Sequence, residues 1–207
     1  MSDETRDRLL LAARRYFAEK GFHGASIATI AQDLGITKQA LLYHFRRKED
    51  LYAEVLQQIS DKLQRFVRMA GQPSDAPERQ FENIVLNIYH AAIETPEDTR
   101  ILVRELLDNQ ARAEQAKTWY LMPFLDGLTS VVRSIPGLEA VSEPRVFTFV
   151  YQVLGSIEYF VISTATLRRM YGDEAYERLR DRFPMELQDQ VRRFVAAARG
   201  EARTLKP

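Results

Sequence analysis

Residues 26–51 read SIATIAQDLGITKQALLYHFRRKEDL, and the organisation of the N-terminal part of the chain turns on them. Two short amphipathic segments flank a glycine. Ser26 is a capping residue type ahead of 27–34, and Thr37 is another ahead of 38–43. Gly35, between them, offers the positive φ that a tight turn demands. Ala31 is small where two crossing helix backbones must approach. Ile30, Leu34, Ile36 and Leu41 supply a miniature apolar core that sets the crossing. With those positions inside, the second helix is left with Lys38, Gln39 and Tyr43 on its outer side. Such side chains reach base edges and phosphates in the major groove of a DNA duplex. The amides at the start of that helix, with Thr37 as cap, suit a backbone phosphate. Lys48, opening the next helix, is placed for a second one.

The charge distribution agrees with this reading once it is examined locally. Lys and Arg number 29 and Asp and Glu number 29, so the formal net charge is zero. Residues 37–48, however, contain Lys38, Arg46, Arg47 and Lys48 with no acid and with His44 among them. A local basic patch matters more to a polyanion than the chain-wide sum.

Outward from this stretch, helical periodicity dominates and no alternating strand pattern stands out. Upstream, 3–20 aligns Leu9, Leu10, Ala13, Phe17 and Ala18 along one stripe, and Gly21 ends it. Downstream, a long helix over about 48–69 is stopped by Gly71 and Pro73. At 1.5 Å per residue it is roughly 30 Å long, enough to bridge two domains. GQPSDAP (71–77) is a loop, and further helices are expected at about 78–94, 97–110, 113–134, 144–171 and 174–199. Pro123 and Pro184 fall inside those patterns and predict a kink or break. The expectation is an all-α chain of about nine helices: a three-helix helix-turn-helix head followed by a helical body.

The head also carries a resemblance. Its lead helix ends AxxxFAEKGFHGAS (13–26), followed by the IAQDLGI turn (30–36) and the TKQALLYHFRRKEDL tail (37–51). The Tyr-His-Phe followed by Lys-Glu-x-Leu is specific, and about 55 residues resemble the DNA-binding domain of the tetracycline-repressor (TetR) family. The resemblance implies a homodimeric transcriptional regulator, by family habit a repressor released from a palindromic operator by a small molecule. By position it implies phosphate contacts from Thr29, Thr37, Tyr43, His44 and Lys48, and base contacts from Lys38 and Gln39. His44 has an alternative reading as a structural cap beneath the next helix, and His23 reads as a polar loop residue. Leu42 stands where many members carry an aromatic, so a contact through that ring is missing. The implied division is a DNA-binding domain over 1–47 and an effector-binding and dimerisation domain over 48–207.

The resemblance stops at the head, so the body must be read from its residues. Over 144–171 apolar or aromatic residues occur on nearly every side, including Val146, Phe147, Phe149, Tyr151, Ile157, Tyr159 and Phe160. A helix apolar all round must be buried all round. Burial against a second copy is the economical solution, with 184–199 (Leu187, Val191, Phe194, Val195, Ala198) completing a four-helix interface. Two heads about one helical turn apart, ~34–36 Å, suit a palindromic site. Candidates to line an effector pocket are Tyr89, Arg104, Glu105, Trp119, Tyr120, Phe124, Tyr151, Glu158 and Tyr159, fitting a small apolar or amphipathic molecule. Glu158 stands out because a carboxylate in an apolar run needs a cation, water or a charged ligand. Arg104 or Arg168 could supply that cation.

Other classes are poorly supported. The chain has no cysteine, so thiolate metal sites, disulfides and cysteine nucleophiles are excluded. Its three histidines, His23, His44 and His90, lack metal-ligand spacing. There is no Gly-rich phosphate loop and no GxSxG, so neither catalytic residues, a metal nor a cofactor are expected and an enzyme is the weaker alternative. A family member without a small-molecule effector is the nearer rival. The polar first eight residues and the absence of a ~18-residue uncharged apolar run predict a cytoplasmic protein with no membrane span.

Overall fold

The computed structural model describes residues 3–70, 76–108 and 120–204, and its regular structure is entirely helical. Ten helices are present among these residues: α1 (Asp3–Gly24), α2 (Ile27–Asp33), α3 (Lys38–His44), α4 (Lys48–Ala70), α5 (Pro77–Glu94), α6 (Pro96–Asp108), α7 (Met122–Arg133), α8 (Glu143–Ile162), α9 (Thr164–Tyr171) and α10 (Asp173–Thr204). The loop expected at 71–77 and the ends of the helices expected at 97–110 and 113–134 fall largely outside the described residues.

Two compact units emerge. One joins Met1–Asp61 to Thr95–Tyr120, the other Lys62–Glu94 to Leu121–Pro207. In the first unit, the stripe expected on α1 is the core: Leu9, Leu10, Ala13, Phe17 and Ala18 are all buried. Gly21 interrupts α1 with φ 69° and ψ 177°, so the regular helix does stop there, and one further helical turn follows. Helix α6 packs on α1. Its inward stripe is Asp98, Ile101, Leu102 and Glu105, all buried, at the i, i+3, i+4, i+7 spacing of one helix face. Asp98 meets Arg14 of α1 at 3.1 Å, and Glu105 accepts a 2.7 Å hydrogen bond from the Tyr52 hydroxyl of α4. Arg14 also donates to Gln58 at 3.0 Å.

The second unit is built on apolar packing. Helix α5 packs on α7, α8 and α10, burying Phe81, Ile84, Val85, Ile88 and Tyr89. Helix α8 turns Val146, Phe149, Val150, Val153, Ile157, Phe160 and Val161 inward. By length and composition α8 could cross a membrane, and one of its faces is packed within this unit. Its opposite side is exposed among the described residues: Phe147 is 42%, Tyr151 49% and Tyr159 73% exposed.

Two departures from the sequence expectation have local causes. The helix expected over 144–171 is two, because Ser163 leaves helical geometry (φ −87°, ψ 1°). Its hydroxyl donates to the Tyr159 carbonyl at 2.6 Å and the Phe160 carbonyl at 3.2 Å, the back-bonding that competes with a regular helix. Conversely, Pro184 does not break α10, which runs through it. A proline lacks the N–H that would bond the carbonyl four residues back, here Arg180, and the Tyr89 hydroxyl of α5 donates to that carbonyl at 2.8 Å. Pro123 falls in the first turn of α7, where proline is tolerated.

Candidate nucleic-acid interface

The geometry of α2, the turn and α3 follows from backbone capping. Helix α2 ends at Leu34, and Gly35 adopts φ 67°. The Ile36 amide donates to the Ala31 carbonyl and the Gly35 amide to the Gln32 carbonyl, both at 3.0 Å. This is a Schellman closure, which satisfies carbonyls the helix end leaves unpaired and fixes the exit direction. A side chain at 35 would strain that φ. Thr37 then caps α3, its hydroxyl oxygen accepting from the Ala40 amide at 3.1 Å. Ser26 has the extended backbone of a cap, without a side-chain hydrogen bond. Ile30, Ala31 and Leu41 are fully buried at the crossing, while Leu34 and Ile36 are partly covered.

With the crossing fixed, the outer face is determined. Thr29, Thr37, Lys38 and Gln39 are exposed, and Tyr43 is 80% exposed, a high value for an aromatic. Lys38 has no ion pair among the described residues. Arg46 and Arg47 are exposed as well, but Arg47 pairs with Asp50 at 2.8 Å. The hydrogen bond from Arg47 holds the Asp50 carboxyl below its ordinary range. The basic run at 37–48 is thus answered on one side by an acid just beyond it. His44 is half-buried with its Nε2 enclosed and lacking a hydrogen-bond partner, its ring edge-on to Tyr43 at 5.7 Å. His23 is exposed.

Lys48 occupies a different setting from the rest. Its ammonium donates to the carbonyls of Phe22 at 2.8 Å and Ala25 at 3.1 Å and lies 4.4 Å from the centre of the Phe22 ring.

The side chains nominated for an effector pocket are dispersed. Tyr89 is buried and occupied with the Arg180 carbonyl, and burial pushes its phenol up to about 12. Phe124 is a core residue at 3% exposure. Tyr151 and Tyr159 face out from α8, Tyr151 stacked on Phe147 at 5.6 Å. Arg104 belongs to the first unit and donates to the α1 carbonyls of Ala18 and Glu19 at 3.1 and 3.0 Å. Arg168 pairs with Asp173 and Glu177. Glu158 therefore has neither arginine, and no ion pair or hydrogen bond among the described residues; burial pushes its carboxyl up to about 7. Trp119 lies outside the described residues. A cleft of about 510 Å³ does open in the second unit, lined by Ser142, Arg145, Thr148, Phe149, Gln152 and Phe194 among others. None of the nominated residues lines it.

Sequence reasoning missed the fastening of α6 to the head. Asp98 and Glu105 sit seven residues apart on the same face as Ile101 and Leu102, and that acid-bearing apolar stripe was the available signal.

Comparison with known proteins agrees with this geometry. The family profile described as bacterial regulatory proteins, tetR family, matches residues 9–55. The chain is 43% identical over 68 residues to the HTH-type transcriptional activator FasR of Mycolicibacterium smegmatis, a stretch covering 33% of this chain and 31% of that protein. It is 27% identical over 165 residues to the HTH-type transcriptional repressor NicS of Pseudomonas putida, covering 77% and 76% of the two chains. In fold it is similar to the transcriptional regulator FadR of Bacillus subtilis, solved in complex with stearoyl-CoA, with a TM-score of 0.67 at 15% identity over 90% of this chain and 97% of that one. Residues 9–55 thus carry a TetR-type N-terminal domain, and the described helices share the fold of solved transcriptional regulators.

Proposed function

We propose that this chain is a cytoplasmic, homodimeric transcriptional repressor that holds a palindromic operator until a small apolar or amphipathic molecule binds its body. One observation carries the DNA reading: the Schellman turn and the Thr37 cap fix α3 so that Lys38, Gln39 and Tyr43 project into solvent. Residues 1–47 are the DNA-contacting part and 48–207 the effector-binding and dimerising part. Lys38 and Gln39 read base edges, and Thr29, Thr37, Tyr43 and His44 meet phosphates.

The dimer reading is supported by the exposed aromatic side of α8, which is costly to leave in water. Pairing α8 and α10 with those of a second copy covers it and gives the two-fold symmetry a palindrome needs. An effector acts only through a preference for one conformation over another. Helix α4 contributes residues to both units, which suits it to carry that preference to the head. The Glu158 carboxyl, which has no ion pair or hydrogen bond among the described residues and is pushed up by burial, supports a body adapted to a ligand.

The test is selection of duplexes from a random-sequence pool by the wild-type protein, followed by fluorescence anisotropy. A palindromic consensus is expected, bound with a steeply falling affinity as salt rises. Lys38→Ala and Gln39→Ala should each cost about 1–3 kcal/mol on that duplex and relax the sequence preference. Failure to enrich any duplex overturns the reading.

A further inference from the structure

We propose that Lys48 is a positioning residue that brackets the helix-turn-helix and sets the orientation of α3, in place of the phosphate contact its position in the family motif implies. This inference rests on the DNA-binding reading above.

The bond pattern is that of an internal clasp. Phe22 and Ala25 stand at the end of α1, where a helix leaves carbonyls without intrahelical donors. Lys48 is the first residue of α4. Its two hydrogen bonds close loops of 26 and 23 residues, and the shorter loop contains all of α2, the turn and α3. Both ends of the DNA-reading segment are thereby tied at one ammonium. Hydrogen bonds from an ionised donor are short and strong, and the Phe22 ring adds a cation–π contact from below. That ring is itself fixed, lying 5.1 Å from Tyr52 and 6.3 Å from Phe17. Lys48 is half-buried, unlike the exposed Lys38, Arg46 and Arg47.

A second cation grips the same helix end. Arg104 holds the carbonyls of Ala18 and Glu19, about one turn earlier. The end of α1 is therefore clasped by α4 on one side of Gly21 and by α6 on the other. Two of the three Lys48 N–H groups are committed, and swinging the ammonium to a phosphate would release both carbonyls. The segment between the clasped ends would then lose its fixed span.

Positioning and phosphate contact predict different data. The probes are two fluorescein-labelled 40-base-pair duplexes, one selected by the wild-type protein as above and one its scrambled sequence. Each variant is measured well below its unfolding transition over a salt series. Lys48→Met keeps the aliphatic stem and removes the donors. It should weaken the selected duplex about 10-fold or more, leave the scrambled duplex within about twofold, and keep the salt slope within about 0.3 of wild type. Loss of a phosphate contact would instead weaken both duplexes alike and make the slope shallower by about 0.9. That result, or undiminished discrimination, overturns the proposal. Should Lys48→Met not fold, Phe22→Leu tests the same clasp by removing only the ring beneath the ammonium. About a threefold loss of discrimination at unchanged slope is then expected, and wild-type discrimination overturns the proposal. If the wild-type protein enriches no duplex at all, the DNA-binding reading fails before the clasp is tested.

Discussion

On α6, Asp98 and Glu105 are buried, and each meets a partner from another helix of the first unit, Arg14 of α1 for the first and the Tyr52 hydroxyl of α4 for the second. On α8, Glu158 is partly buried with no partner among the described residues, and burial alone pushes its carboxyl up to about 7. The same functional group therefore does two physical jobs. A buried acid with a hydrogen-bonded partner specifies where its helix must sit, because any other placement strands a charge. A buried acid without one makes the local free energy depend on protonation or on an arriving cation. The first unit uses its acids as fasteners, and the second keeps one unfastened.

Arg14→Met tests the fastener most severely. It leaves the Asp98 carboxylate buried without its cation, and breaking such a pair is expected to cost about 3 kcal/mol of unfolding free energy in a urea titration. A loss no larger than that of an exposed pair would show that Asp98 does not depend on Arg14.

Glu158 tests the other side through pH. Its carboxyl titrates at about 7 in the folded chain, against an ordinary value of 4.5. The folded state thus binds the proton more tightly than the unfolded state between those values, and stability falls as pH rises through that window, flattening above it. The change is on the order of 2–3 kcal/mol. Unfolding free energies at pH 5 and 7.5 should show this decline in wild type and not in Glu158→Gln. Parallel behaviour of the two proteins would mean that Glu158 is solvated or paired in solution.

Tyr89→Phe carries the smallest effect and asks whether the second unit also depends on a polar fastener. Removing the hydroxyl strands the Arg180 carbonyl, already deprived of its usual donor by Pro184, and should cost about 1–2 kcal/mol. An unchanged urea midpoint would show that the carbonyl finds water.

The head was legible in the sequence because its determinants are local. Gly21, Gly35 and Thr37 act through the backbone within a few residues, and the α1 stripe repeats at helical period. Lys38, Gln39 and Tyr43 were legible as an outer face once Ile30, Leu34, Ile36 and Leu41 were assigned inward, and Thr29 only through the family resemblance. Asp98, Glu105 and Arg104 were not, since on a lone helix an acid facing another element is indistinguishable from an acid facing water. Arg104 reads as a pocket cation until the α1 carbonyls are beside it. Pro184 reads as a break until Tyr89 arrives from another helix, and Ser163 reads as one more helical residue until its hydroxyl turns back.

The amino-acid order alone determined the all-helical class, the turn between α2 and α3 and the outward residues of α3, because each depends on φ, capping and periodicity over short spans. Only the tertiary structure decided that α6 packs on α1, that Lys48 bonds the carbonyls of Phe22 and Ala25, and that Glu158 has no partner among the described residues. Those outcomes depend on which groups meet across distances of 20 residues and more, and a buried charge acquires its meaning only from what stands opposite it.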